Sequence, residues 1–300
     1  MRAGYANASS SILLAVFLFA GGQDVVRDDL GAVFPAAGSY RRIVSLAPNI
    51  TEILFTLGAG DRVAGVTRYC DFPPEAALRP KVGGFLDPNL EAIRALEPDL
   101  IVAFRGNPLE ALDRLRRIGL PVFVLDIADD LEAVPRTIGK LGRLTGRTAE
   151  AGAIIDGIAA VSRSVEEGLR GLAERPRIFL KLQGEGLWTC GRGSYFTDMI
   201  VRSGGTSISA GVPKNWLEYG AERLLADDPD LIVILARSDD DYARTRGWFR
   251  AQPALRGLRA VREDRFGRLD ENAASRFGPR LFEAFADLAR LLHPDRFPAR

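Results

Sequence analysis

Two α/β lobes, each built on a central and mostly parallel sheet and joined by a long backbone α-helix, are what the sequence predicts from three features. Short apolar strands alternate with short helices toward both ends of the chain. Residues 129–173 carry helical periodicity and nothing that fits a strand. A helix–loop–strand unit occurs twice, once on each side of that stretch. A length of 300 residues suits two compact units, and 47% hydrophobic with 26% charged residues is an ordinary globular composition.

The elements follow in order. Residues 1–22 read as a cleaved signal peptide: Arg2 supplies the positive start, Ile12 to Ala20 is unbroken apolar, and small residues follow. The apolar run is shorter than the ~20 residues a spanning helix needs, so the mature chain is expected to act in the periplasm. A polar lead-in covers 23–40. The N-terminal lobe, 41–128, opens with a strand at Ile43 to Leu46. Pro48 then starts a helix in which Asn49 and Glu52 have capping-box spacing, ending near Gly58. Val63 to Val66 is a second strand, and Tyr69 to Pro74 a loop. Asn89 caps a helix through Leu96. Strands at 100–104 and 122–125 flank a helix over 110–117. In the connector, 129–173, Ile154, Ile155, Ile158, Val161, Val165 and Leu169 make one apolar stripe. The C-terminal lobe, 174–300, begins with a strand over 177–182.

The repeat pairs Asn89-Leu90-Glu91 through Glu97-Pro98-Asp99-Leu100-Ile101-Val102 with Gly220-Ala221-Glu222 through Asp228-Pro229-Asp230-Leu231-Ile232-Val233. In both copies a glutamate precedes the proline by seven positions. Arg42-Ile43 and Arg177-Ile178 are a second echo, each opening a strand. Two related lobes follow from this.

Several functions are disfavoured. Forty basic against 39 acidic residues leave a net charge of +1, too little for a strongly basic nucleic-acid binder. The single histidine, His293, stands near the C-terminus, so neither a multi-imidazole metal site nor a Ser-His-Asp triad is expected. The stretch Gly184 to Gly193 is glycine-rich but lacks dinucleotide-loop spacing, and no phosphate-cradling G-x-x-x-x-G-K motif occurs. No pair of acids is marked out as a catalytic dyad. Cys70 and Cys190 fall in different halves, and two free thiols are expected over a bridge.

Aromatics gather where loops follow strands: Tyr69, Phe85, Phe104, Trp188, Tyr195, Phe196, Trp216 and Phe277. Strand-end loops of open α/β sheets face a ligand crevice. Trp248, on a helix-like segment, is expected in the core. Glu91 and Glu222 each fall in the first turn of a helix, where the macrodipole alone would explain an acid.

Arg42 to Glu52, the loop Tyr69 to Glu75, Asn89-Leu90-Glu91 and both Pro-Asp-Leu-Ile-Val segments resemble the helical-backbone substrate-binding proteins of bacterial ABC importers, nearest to the cobalamin-binding branch. The resemblance runs over roughly 40–290. It implies the class III binding-protein fold, with a ligand held between the lobes and modest opening. The implied cargo is a corrinoid, with a ferric siderophore or haem as the alternatives. It also implies no catalysis and no resident cofactor or metal, with an extracytoplasmic enzyme as the remaining, least favoured alternative. Tyr69, Phe85, Phe104 and Trp216 match pocket aromatics, with phenylalanine at 85 and 104 where tryptophan is usual. Arg105 and Trp188 are expected to contribute to binding, as are Asn272, at a position where an aspartate is usual, and Arg276. Glu91 and Glu222 match carboxylates that engage arginines of a dimeric membrane permease. The chain is expected to be a monomer.

Overall fold

In the computed structural model, residues 24–126 and 129–297 are described; the expected signal peptide lies outside them. The lead-in is not a plain polar linker. Strands β1 (Val25–Arg27) and β2 (Val33–Pro35) form an antiparallel hairpin. Only Val26 and Phe34 turn inward, Phe34 edge-on to Phe123 at 5.1 Å. The buried Asp28 fastens the turn, accepting from the backbone N–H groups of Leu30, Ala32 and Val124. Three-residue strands with one inward side chain leave too little alternation to read from sequence.

The N-terminal lobe follows as β3 (Ile43–Ser45), α1 (Pro48–Thr56), β4 (Val63–Val66), α2 (Pro74–Ala77), α3 (Leu90–Ala95), β5 (Leu100–Phe104), α4 (Leu109–Arg117) and β6 (Val122–Leu125). All pairings are parallel, in the order β4-β3-β5-β6. The connector holds α5 (Ala133–Thr145) and α6 (Thr148–Gly168), which turn on Gly146 in a left-handed conformation. The long backbone helix is thus α6, 21 residues or about 30 Å, with α5 packed on it.

The C-terminal lobe runs β7 (Arg177–Lys181), β8 (Trp188–Cys190), α7 (Tyr195–Arg202), β9 (Thr206–Ser207), β10 (Trp216–Glu218), α8 (Ala221–Asp227), β11 (Leu231–Ala236), α9 (Asp239–Ala251), α10 (Arg259–Arg262), β12 (Phe266–Asp270), α11 (Glu271–Ala274) and α12 (Leu281–Leu292). Its main sheet has the order β12-β11-β7-β9, again parallel. Numbered within each lobe, both sheets read second, first, third, fourth. The glycine-rich stretch expected as a loop contains β8, paired antiparallel with β10.

The repeated Pro-Asp has a structural task. Asp99 accepts from the backbone N–H groups of Arg41 and Arg42, and Asp230 from that of Arg177. Each aspartate therefore caps the start of its lobe's first strand, which explains why Arg42-Ile43 and Arg177-Ile178 echo one another. Glu97 and Asp228, equivalent in the repeat, both take left-handed backbone, with φ of 44° and 34°.

Strands buried on both faces read as unbroken apolar runs. Leu100 and Val102 face a core that continues through α6 and α12 to Ile178, Leu180 and Val233 of the other sheet. Ile101 and Ala103 face an outer layer with Leu112 and Leu115, and Ile232 and Ile234 face one with Leu224 and Phe249. Trp248 is half-buried beside Phe249, not in the core interior. Both cysteines are free and buried.

Candidate functional site

A cavity of about 440 Å³ lies between the lobes. Its wall comes from segments that leave the carboxyl ends of strands in both sheets, where open α/β sheets place ligands. Pro48 and Asn49 follow β3, Tyr69 follows β4, and Phe104 ends β5. From the other lobe, Arg237 follows β11, while Glu271, Arg276 and Phe277 follow β12.

The aromatic floor is held from behind. Phe85 and Phe104 lie with ring centroids 5.4 Å apart. The buried Asn107 donates from Nδ2 to the carbonyls of Phe85 (2.8 Å) and Leu46 (3.1 Å), and its Oδ1 accepts from the Phe104 N–H at 2.8 Å. Gly106 permits this packing, because a Cβ there would come within 2.4 Å of the Phe104 ring and 2.9 Å of Phe85. On the opposite side Tyr195 stacks on Phe196 and meets Phe277 edge-on at 5.3 Å. Its hydroxyl donates to the Ala274 carbonyl, fixing the segment that carries Arg276, and burial holds its phenol above the usual range.

Charge is concentrated at the rim. Arg68 pairs with Asp87 at 2.7 Å, Arg237 with Glu271 at 3.1 Å, and Arg276 with Asp71 at 2.6 Å. The Arg68 hydrogen bond holds the Asp87 carboxyl below its usual range. Behind Asp71 the lobes are tied again: the buried Glu52 pairs with Arg280, whose guanidinium also covers the Phe72 ring at 3.7 Å. Glu52 is therefore not part of a capping box. Helix α1 starts from Ala47 without a side-chain cap, and Glu52 points into the lobe interface.

Of the residues expected to bind ligand, Tyr69, Phe85, Phe104 and Arg276 line this cavity, and Arg105, Trp188, Trp216 and Asn272 do not. Arg105 is drawn outward by Asp126 at 2.6 Å. Trp188 stands opposite Glu218 on the β8–β10 ribbon, 41% exposed. Trp216, on the same ribbon, is 44% exposed and packs edge-on against the buried Tyr195 and Phe196, neither of which lines the cavity. Asn272 lies in α11 and its neighbour Glu271 takes the lining position. Glu91 and Glu222 are exposed in the first turns of α3 and α8 and make no ion pair among the described residues.

Sequence reasoning missed Asn107, Arg237 and Glu271. Arg237 had one available signal: it directly follows a predicted strand, as Phe104 ends one. A larger cavity of about 540 Å³ lies wholly in the C-terminal lobe around Lys181, Gln183 and Asp241. Its polar groups bond to one another, Lys181 to the carbonyls of Leu182 and Gly184 and Gln183 to Asp241, so it offers little to a ligand. Among the described residues no group of three or more His, Cys, Asp or Glu is placed to hold a metal, and no helix is long and apolar enough to cross a membrane.

Two similar lobes around an aromatic cavity, connected by one long helix, define a binding protein of the two-lobed class. Residues 43–273 match the periplasmic binding protein family, and the chain belongs to it. It is 30% identical over 246 residues to the vitamin B12-binding protein of Pectobacterium carotovorum, spanning 81% of this chain and 85% of that one. It is 28% identical to the cobalamin-binding protein of Halobacterium salinarum, over 84% and 69% of the two chains. Among solved structures it resembles the periplasmic heme-binding protein RhuT of Roseiflexus sp. RS-1, with 25% identity, a TM-score of 0.75, and 86% and 99% of the chains covered.

Proposed function

We propose that the protein captures a corrinoid between its lobes outside the cytoplasm and delivers it, as a monomer, to the permease of an ABC importer. The lobes are taken as 41–128 and 174–300, with 129–173 as the connector. The observation that carries the reading is the aromatic cavity at the facing carboxyl ends of the two sheets. Tyr69, Phe85 and Phe104 present flat apolar area with few rotors to freeze, which suits a rigid macrocycle. Relatives named for vitamin B12 and cobalamin support the choice of cargo. Glu91 and Glu222, equivalent in the repeat and both exposed, serve as the docking carboxylates, one per lobe.

Haem is the second reading, favoured by the three arginines at the rim and by the likeness to a heme-binding protein. A ferric siderophore is the third. Absorption spectra of the purified protein titrated with cyanocobalamin, haemin or a ferric catecholate separate them, because each chromophore shifts in its own band. A stoichiometric shift with cyanocobalamin and none with the others is the expected result. A shift with haemin alone replaces the first reading by the second.

A further inference from the structure

Apolar capture of a macrocycle requires no charge, yet three guanidinium groups enter the wall of this cavity. Arg68 comes from the N-terminal lobe, Arg237 and Arg276 from the C-terminal lobe. Only two carboxylates, Asp71 and Glu271, line it with them. The pairings leave donors over. A guanidinium carries five N–H groups. Arg237 donates from Nε to Glu271. Arg276 reaches Asp71 through Nη2, while its Nη1 is buried and has no acceptor among the described residues. A buried donor without a partner is unfavourable, so the guanidinium gains by turning onto an oxygen acceptor that takes the place of Asp71. Asp71 is 64% exposed and, among the described residues, its side chain is held only by this contact, so it can yield its place beside Arg276.

We infer that the cavity selects a macrocycle whose edge bears an anionic oxygen group, and that Arg276, assisted by Arg237, receives that group. The inference rests on the inter-lobe cavity being the ligand site. Asp71 and Glu271 line the cavity beside these guanidinium groups, where the ligand's acid would bind, and planar bidentate donors suit both a carboxylate and a phosphodiester. The two acids have different sources: the nucleotide loop of cobalamin carries a phosphodiester, and haem carries propionates.

Four probes test it: cyanocobalamin, dicyanocobinamide (a corrin ring without the phosphodiester), haemin, and haemin dimethyl ester. Each is titrated into the full chain and into Arg276→Gln, with Arg237→Gln as the second variant because that side chain is largely exposed and less coupled to folding. The expected result is that, in whichever pair binds, the acid-bearing member binds at least tenfold more tightly. Arg276→Gln should remove that preference by weakening the acid-bearing member alone, and Arg237→Gln should reduce it. A preference in the corrinoid pair identifies a phosphodiester, and one in the haem pair a carboxylate. Equal affinity within the bound pair overturns the inference while leaving the cavity as the ligand site. So does a preference that both variants retain. Absence of binding by all four removes the inference and the proposed cargo together.

Discussion

Glu52 and Arg280, 228 residues apart in sequence, meet in a two-pronged ion pair across the lobe interface: Nε to Oε1 at 3.0 Å and Nη2 to Oε2 at 2.7 Å. Glu52 is 1% and Arg280 19% exposed, and Phe72 covers the guanidinium. Together with Asp71–Arg276, this pair joins α1 and the loop after β4 to the segment between α11 and α12. The contact ties the two lobes directly beside the cavity.

Breaking one side of such a pair leaves a buried charge uncompensated. Glu52→Ala should therefore destabilise the fold by about 3 kcal/mol, whereas replacing both partners by apolar residues should lose far less. Urea denaturation of Glu52→Ala and of the double variant Glu52→Leu with Arg280→Met checks this. A double variant as unstable as the single one would contradict it.

The cavity aromatics and the ribbon tryptophans should differ in their effect on ligand. Replacing Tyr69 or Phe104 by Ala is expected to weaken binding of the proposed cargo by about 2 kcal/mol, as buried aromatic anchors do. Trp188→Ala should leave it nearly unchanged, since Trp188 does not line the cavity. Calorimetry on the three variants makes the comparison.

Reversing both exposed glutamates, Glu91→Arg with Glu222→Arg, should abolish uptake while ligand affinity stays at the wild-type value. Two carboxylates on one rigid body reinforce each other's contacts, so the double reversal should exceed either single one. A helix-capping role alone predicts a small stability loss with normal uptake. Uptake assays beside binding titrations distinguish the two.

The thiols should be unreactive in the native protein. Cys70 and Cys190 are both buried, and burial raises the Cys190 thiol above its usual range, so little thiolate is available. Iodoacetamide at neutral pH should label neither in the native state and both in guanidinium chloride. Mass spectrometry of the intact protein reads the result.

The carboxyl of Asp241 is held below its usual range. Burial pushes it up, but donation from Gln183, the Arg237 backbone N–H and Arg244 outweighs that effect. A depressed folded value means stability that is present above the unfolded carboxylate range and is lost as pH falls through the folded value. Asp241→Asn should thus be less stable than wild type at neutral pH, and the gap should narrow on acidification. Urea midpoints from pH 7 down to pH 3 test the sign.

The repeat was legible because its information is local. Pro98-Asp99 and Pro229-Asp230 punctuate helix and strand within a few residues, and the apolar runs after them need no partner to be recognised. The hairpin before β3 and the short strand β8 were not legible, since three residues with one or two inward side chains carry no periodicity. At the site, Tyr69, Phe85 and Phe104 stood out as aromatics beside strand ends. Glu271 did not, because one glutamate among many has no local mark of its role, and Arg237 had only its place directly after a strand.

By itself the sequence determined where most helices and strands lie, that two related lobes flank a helical connector, and that aromatic side chains collect at strand ends. These depend on side-chain periodicity and backbone punctuation over about ten residues. The tertiary structure alone decided which loops face one another. It turned Glu52 from an apparent cap into the partner of Arg280 and gave Arg276 to Asp71. It sent Arg105 outward and laid the exposed Trp216 against the buried Tyr195. Such outcomes depend on how two sheets pack around one long helix, and that packing brings together groups whose attraction is negligible until the core between them has closed.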